Sequence, residues 1–333
     1  MIVDENNCPF CRPSQDDVII AETDHAFAMC DARPLCTGHL LISPKNHFAS
    51  MFDTPVLALN HVAVLKYELG RRLLHQFHEV GVYEHGRSHL HTPSGDFSHA
   101  HVHILPVSDD VLQFSNSRRL WECKPPGREL FGVDYFYQEG SSGHGQKWAV
   151  GTTPVRNHCV RGLLEKALKA RDIPSLPLSA PLQEHEIAVK QTAQALLPKS
   201  LPNYGRVFFT GISKTVLHEV ADHVSRILGW PIIDDDRFRP PVLLTDHWKN
   251  CEPVIFVSGE LPLRGSLTDL QVILDHAGSF SGINPWDALR LLSDRVPPQS
   301  LAEIVLTAFK LRNNNSLWQE PASSLVLLTQ PTV

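Results

Sequence analysis

The chain has no apolar run that approaches the length needed to cross a bilayer, so no membrane association is expected. Its start, Met1-Ile2-Val3-Asp4-Glu5, is acidic and lacks the basic segment and apolar core of an export signal. A cytoplasmic protein is therefore expected. Positive charge is not in excess: 30 Lys and Arg stand against 36 Asp and Glu, a net charge of −6. That argues against a nucleic-acid polymer as partner, but not against one small nucleotide held in a cleft. A disulfide framework is also missing. The seven cysteines are an odd number, and only Cys8 and Cys11 are close together. Cys30, Cys36, Cys123, Cys159 and Cys251 are scattered, as expected of small buried hydrophobes in a reducing compartment. No internal repeat is visible. What remains is globular: 333 residues, 42% hydrophobic and 20% charged, enough for two domains with separate cores.

Histidine, by contrast, is abundant, and its placement is informative. In His99-Ala100-His101-Val102-His103-Ile104-Leu105 three histidines alternate strictly with apolar residues. On a β-strand, residues i, i+2 and i+4 share one face, so the imidazoles would stand in a row roughly 6–7 Å apart. Ala100, Val102 and Ile104 would then face a core. Three readings are open: a strand that is merely His-rich, a metal site in which neighbouring imidazoles reach one ion, or covalent catalysis at phosphorus.

The pattern resembles the histidine triad family of nucleotide hydrolases and transferases, whose signature is three histidines separated by apolar residues. The resemblance extends to other blocks in the right order over about residues 5–110. They are Asn7-Cys8-Pro9-Phe10-Cys11, Val18 to Thr23, Ala26 to Pro34, and Gly38-His39-Leu40-Leu41-Ile42-Ser43-Pro44-Lys45-Asn46-His47. Tyr83-Glu84-His85-Gly86 and the hairpin and helix that follow the triad resemble a longer subgroup, to about residue 175. The resemblance implies that His101 is the nucleophile toward an α-phosphorus and that His103 binds the phosphate oxygens. It also implies that Asp31 contacts ribose hydroxyls and that Phe10 and Ile19 line the base pocket. Many members carry Gly-Gln-Ser/Thr before the triad, but Ser94-Gly95-Asp96-Phe97-Ser98 has no Gln there. Asp96 and Ser98 are the candidate substitutes in substrate binding and leaving-group protonation. Cys8, Cys11, His47 and His99 match positions that bind zinc in some members, implying a closed, structural Cys₂His₂ site. The implied substrate is a nucleotide conjugate: a phosphoramidate, a dinucleoside polyphosphate or a nucleotide-sugar. A second copy of the chain is the other candidate partner. Two competing classes stay open: a nucleotide-binding scaffold without catalysis, and a metal-dependent hydrolase with the three histidines as ligands.

The organisation expected is an α+β histidine triad domain over residues 1–175, an antiparallel sheet with helices, followed by an α/β parallel-sheet domain over 180–333. In the first, residues 17–47 read as three strands and Thr54-Pro55 opens a helix to about His78. Strands at 79–86 and 98–106, a hairpin within 131–150 and a helix over 155–170 follow. A Pro-rich linker occupies 171–182. In the second, Val207 to Gly211, a helix over 214–228 and Pro231 to Asp236 form a βαβ unit. Val254 to Gly259 and Leu325 to Thr329 read as strands, and 286–292 and 301–311 as helices. Thr210-Gly211-Ile212-Ser213-Lys214-Thr215 resembles the phosphate loop of small P-loop kinases, but it is three residues too short and lacks the second Gly. A degenerate, kinase-like domain is therefore expected, with no phosphoryl transfer of its own.

Overall fold

A computed structural model describes residues 8–14, 16–87, 99–108, 111, 120–123, 134–140, 147–151, 159–196, 204, 206–211, 213–230, 232–234, 254–257, 269–275, 288–293 and 295–313. The first half is an antiparallel sheet. Its strands are β1 (Ile19–Glu22), β2 (Ala26–Cys30), β3 (Leu40–Pro44), β4 (Gly81–Arg87), β5 (Val102–Leu105), β6 (Leu120–Cys123), β7 (Asp134–Gly140) and β8 (Lys147–Gly151). They lie in the order β1-β2-β3-β5-β4-β7-β8-β6. The expected three strands and the hairpin are present, whereas β6 carries no strong alternation and was not expected from sequence. The histidine strand is shorter than its pattern suggests. Ladder pairing begins only at Val102, and His99 to His101 are held instead by Ala100, whose N–H donates to Phe48 O at 2.6 Å.

Period-two alternation gives this sheet two different faces. Ala26, Ala28 and Cys30 of β2, Leu40 and Ile42 of β3, and Val102 and Ile104 of β5 turn to one core. That core is completed by α1 (Val56–Phe77). Met29 pairs with Leu41, and Leu41 with His103. These residues therefore share the opposite face, which carries the histidines. The start of α1 departs from expectation. Pro55 is the N-cap rather than the first helical residue, and the Thr54 hydroxyl donates back to Ser50 O at 3.0 Å instead of capping the helix.

The helices α2 (Cys159–Ala170) and α3 (Leu182–Ala195) follow. Helix α2 packs on the histidine face through Val160, Leu164 and Leu168, against Tyr83, Leu105 and Phe136. Helix α3 begins where the Pro-rich stretch ends and docks behind β2 and β3. The Cys30 thiol lies 3.9 Å from Val189 O, and Thr192 Oγ1 accepts from Gly38 N at 2.7 Å.

The second sheet is wholly parallel, as the βαβ pattern predicts. Its strands are β9 (Arg206–Gly211), β10 (Ile232–Asp234), β11 (Val254–Val257), β12 (Asp269–Asp275) and β13 (Leu289–Leu292), in the order β10-β11-β9-β12-β13. Helix α4 (Lys214–Leu228) connects β9 to β10, and α5 (Pro298–Asn313) closes the described chain. Residues 288–292, the described part of the helix expected over 286–292, do not form it. Leu289–Leu292 is a strand whose side chains alternate in burial, because this four-residue segment, three leucines and Arg290, is too short for a helix and long enough for a strand. The strand expected at 325–329 lies outside the described residues. Among the described residues no helix is long and apolar enough to cross a membrane.

Helix α1 serves both sheets, which explains why it is buried around most of its circumference. The Asn60 side chain donates to Leu292 O at 2.9 Å and accepts from Leu292 N at 2.8 Å, so it pairs with the edge of β13 as another strand would. About two turns later Glu68, fully buried, accepts from Arg312 Nε at 2.8 Å and from the Tyr204 hydroxyl. Removing one partner of such a pair leaves a buried charge, which costs about 3–5 kcal/mol.

Candidate active site and metal centre

The site is built on the histidine face where β3 and β5 pair. Gly38, in the left-handed region at φ +92°, turns the chain so that His39 enters β3 on the same face as Leu41. His39 is fully buried, and burial pushes its pKa down to about 4, so it is neutral near pH 7. Its hydrogen bonds fix its tautomer. Leu35 N donates to His39 Nδ1 at 3.1 Å. His39 Nε2 must then carry the proton, and it donates to His103 Nδ1 at 3.0 Å. His103 is left with Nε2–H as a donor. Asp31 Oδ2 also lies 3.5 Å from His39 Nδ1, but with His39 neutral and Nδ1 already accepting, this is proximity and not an ion pair.

His101 is fixed in a comparable way. Its Nδ1 lies 2.7 Å from His99 O and donates to that carbonyl. The tautomer this assigns to the neutral ring leaves Nε2 unprotonated. Phe10 stacks on His101 with ring centroids 4.7 Å apart and 20° between planes. The rings of His101 and His103 are 5.0 Å apart, closer than their spacing along a strand. The face thus presents one unprotonated ring nitrogen beside one N–H donor.

Around this pair lie the other expected residues. Phe10 and Ile19, both partly buried, pack on an apolar cluster of Phe27, Met29 and Leu41 next to the histidines. Asp31 divides its oxygens: Oδ1 accepts from Arg33 N at 2.8 Å in the turn, while Oδ2 faces Arg161 Nη1 at 3.5 Å. Asp96 and Ser98 lie outside the described residues. His39 was not singled out from sequence, although its parity with Leu41 on a strand beside the triad would have placed it. No local pattern marks Arg161, which reaches Asp31 across 130 residues.

Cys8, Cys11, His47 and His99 converge at the other end of the triad. Their donor atoms all lie within 4.8 Å of one another. Cys8 Sγ and Cys11 Sγ approach His99 Nδ1 at 3.3 and 3.5 Å, and Cys11 Sγ approaches His47 Nδ1 at 3.3 Å. A tetrahedral zinc with ordinary Zn–S and Zn–N bonds needs S···N edges of about 3.5 Å. His99 Nε2 donates to Pro44 O at 2.9 Å, which leaves Nδ1 as the ligand atom. Burial lowers the His99 pKa to about 4, so the ring is neutral, as ligation requires. Donor chemistry, spacing and tautomer all fit a metal ion.

Comparison with known proteins follows the same residues. The HIT domain model matches residues 12–110. A 16.1 kDa HIT-like protein of Mycoplasma pneumoniae is 30% identical over 115 residues, 33% of this chain and 77% of that protein. The chain belongs to the HIT family. Another HIT relative, the adenosine 5'-monophosphoramidase of Saccharomyces cerevisiae, is 26% identical over 106 residues, 31% of this chain and 64% of the yeast protein. Among solved structures, a protein from Leishmania major has 25% identity, covers 38% of this chain and 89% of its own, and gives a TM-score of 0.28. Helix α2 and Arg161 lie beyond the matched HIT residues.

Neutral His39 has a consequence for stability. Its folded-state pKa, about 4, lies below the ordinary value of 6.5. Between these values the unfolded chain binds a proton that the folded chain refuses, so stability falls as pH drops from 6.5 toward 4. The loss attached to His39 is at most about 3 kcal/mol. Denaturant titrations at pH 7.5 and 4.5 should show a shallower acid loss for His39→Gln than for the parent. Equal losses would contradict this assignment.

Proposed function

We propose that the histidine face cleaves nucleotide conjugates at the α-phosphorus through a covalent nucleotidyl-His101. The observation that carries this reading is the 2.7 Å bond from His101 Nδ1 to His99 O, which in the neutral ring puts the proton on Nδ1 and makes Nε2 the nucleophilic nitrogen. The Nε2 lone pair attacks phosphorus, and the bond to the leaving group breaks as that group takes a proton. Water then attacks the same phosphorus, the P–N bond breaks, a mononucleotide leaves and His101 is restored. His103 Nε2–H donates to the phosphoryl oxygens, where negative charge grows in the transition state. Asp31 Oδ2 accepts from the sugar hydroxyls, and Phe10 and Ile19 cover the base. Asp96 and Ser98 are the candidates for protonating the leaving group.

The metal-hydrolase alternative is disfavoured by the directions of the rings. His99 turns to the cysteines and His101 Nδ1 is bound to a carbonyl, so the three imidazoles do not converge on one ion. In the second acidic–histidine group, Asp31, His39 and His103, the His39 nitrogens are occupied by Leu35 N and His103. The yeast relative's phosphoramidase activity makes phosphoramidates the first conjugates to test. A screen of phosphoramidates, dinucleoside polyphosphates and nucleotide-sugars, read by mass-spectrometric detection of mononucleotide, should find turnover. Turnover of none, or activity restored to a His101 variant by added metal, contradicts the reading.

Zinc is assigned to Cys8, Cys11, His47 and His99. Bound there it would supply a cross-link between the N-terminal loop and the triad, with no position left for substrate.

Residues 180–333 are read as a recognition module without phosphoryl transfer. A Cβ at Gly211 would meet Leu274 O at 2.3 Å, so this glycine admits the neighbouring strand. The Ser213 hydroxyl accepts from Val216 N at 3.4 Å and so caps α4 with the helix's own side chain. Titration of the full chain with Mg-ATP should show no binding that depends on Lys214. Micromolar binding lost in Lys214→Ala would overturn this.

A further inference from the structure

Arg161 is a charged group on the histidine face that the proposed chemistry does not use. It projects from the first turn of α2 and is buried, with 6% of its surface exposed. Its neighbour Val160 and, one and two turns on, Leu164 and Leu168 anchor that helix in an apolar cluster with Tyr83, Leu105 and Phe136. The guanidinium is therefore held in place by the packing of the helix. Its one hydrogen bond among the described residues runs from Nη1 to Asp31 Oδ2, at the 3.5 Å limit. Its Nε and Nη2 are buried and have no hydrogen-bond partner among the described residues.

A buried guanidinium with two unmatched N–H-bearing nitrogens is costly, and native proteins seldom keep one without a use. Pairing with Asp31 does not account for it, because Asp31 has given Oδ1 to its own turn and offers one oxygen at long range. The contacts run in order across the face: His101, His103, His39, Asp31, Arg161. The cation thus lies on the same surface as the proposed nucleophile, at the far end from it. Guanidinium nitrogens in a planar fork, short of acceptors and shielded from water, match a phosphate's oxygens.

We propose that Arg161 holds a second phosphate of the substrate, distinct from the phosphorus that His101 attacks. The preferred substrates then carry two phosphates. The inference rests on the nucleotide reading given above. The second phosphate can come from the sugar or from an extended 5′ chain.

The test is titration calorimetry on the full chain with AMP, ADP and adenosine 3′,5′-bisphosphate, and with pyrophosphate as a probe free of nucleoside. Parent, Arg161→Lys and Arg161→Gln are compared. At least one of the doubly phosphorylated nucleotides should bind about tenfold or more tightly than AMP. ADP would locate the second phosphate on the 5′ chain, and the bisphosphate would locate it on the sugar. Arg161→Gln should erase the advantage while changing AMP binding less than about threefold, and Arg161→Lys should keep part of it. A residue that only positions Asp31 would change AMP and the doubly phosphorylated ligands alike, and that result overturns the inference. So does an advantage that survives Arg161→Gln, or no advantage at all. Pyrophosphate binding that needs Arg161, with no nucleotide bound, would support the anion site and refute the nucleotide reading. No binding of any of the four probes would refute both. Thermal melts check the fold: Arg161→Gln removes buried unmatched donors and should not lower the unfolding midpoint.

Discussion

His101→Ala is expected to lower turnover of any accepted nucleotide conjugate by about 10⁴-fold or more, a barrier increase of about 5 kcal/mol. The size follows from the role. Without Nε2 no P–N bond can form, and water must attack the conjugate directly. Stability should hardly change, because His101 is only partly buried and its side chain stacks on Phe10 at the edge of the core. His103→Ala should cost less, roughly 10²–10³-fold, since it removes one donor to the transition state and leaves the nucleophile in place. Steady-state kinetics with circular dichroism on each variant checks both. A His101→Ala protein within about tenfold of the parent, a change of only ~1.4 kcal/mol, means that the mechanism is wrong.

The second large effect concerns metal. Elemental analysis of the purified chain should find about one zinc per molecule. Chelation, or Cys8→Ser, should lower the unfolding midpoint by roughly 5–10 °C. Cys8 is buried and contacts His99 across 91 residues, so losing the ion releases a long-range cross-link. Stability should respond before chemistry does, because the site is closed. Chemistry should follow as the loop loosens. His99 presents its ring to the cysteines and its carbonyl to His101 Nδ1, so one residue couples metal site and nucleophile. Carefully prepared protein that contains no metal and is indifferent to chelator contradicts the assignment.

Much of this was legible in the sequence, and the reasons are physical. Period-two alternation at residues 99–105 placed the histidines on one face, and Cys8, Cys11, His47 and His99 come together as the resemblance implied. The strand–helix–strand pattern at 207–234 gave the parallel sheet correctly. Features set by long-range contact were not legible. Residues 289–292 pair as a strand because β12 lies beside them, and a four-residue segment of three leucines and Arg290 does not reveal that neighbour. The dual service of α1 depends on Asn60 meeting Leu292 and on Glu68 meeting Arg312, each more than 200 residues away. In the sequence they read as polar interruptions of an amphipathic helix. Arg161 reads as one more charged helix residue until folding brings it to Asp31.

The central claim is that His101 becomes covalently bonded to phosphorus. The direct measurement is rapid quench of the zinc-loaded full chain with an accepted conjugate, followed by mass spectrometry of the intact protein and of its peptides under mildly alkaline conditions. The mechanism predicts a mass gain of one nucleoside monophosphate within a single turnover. That gain should be located on the peptide containing His101 and absent from His101→Ala. Mononucleotide released at the full rate, with no adduct at any time point, would contradict it.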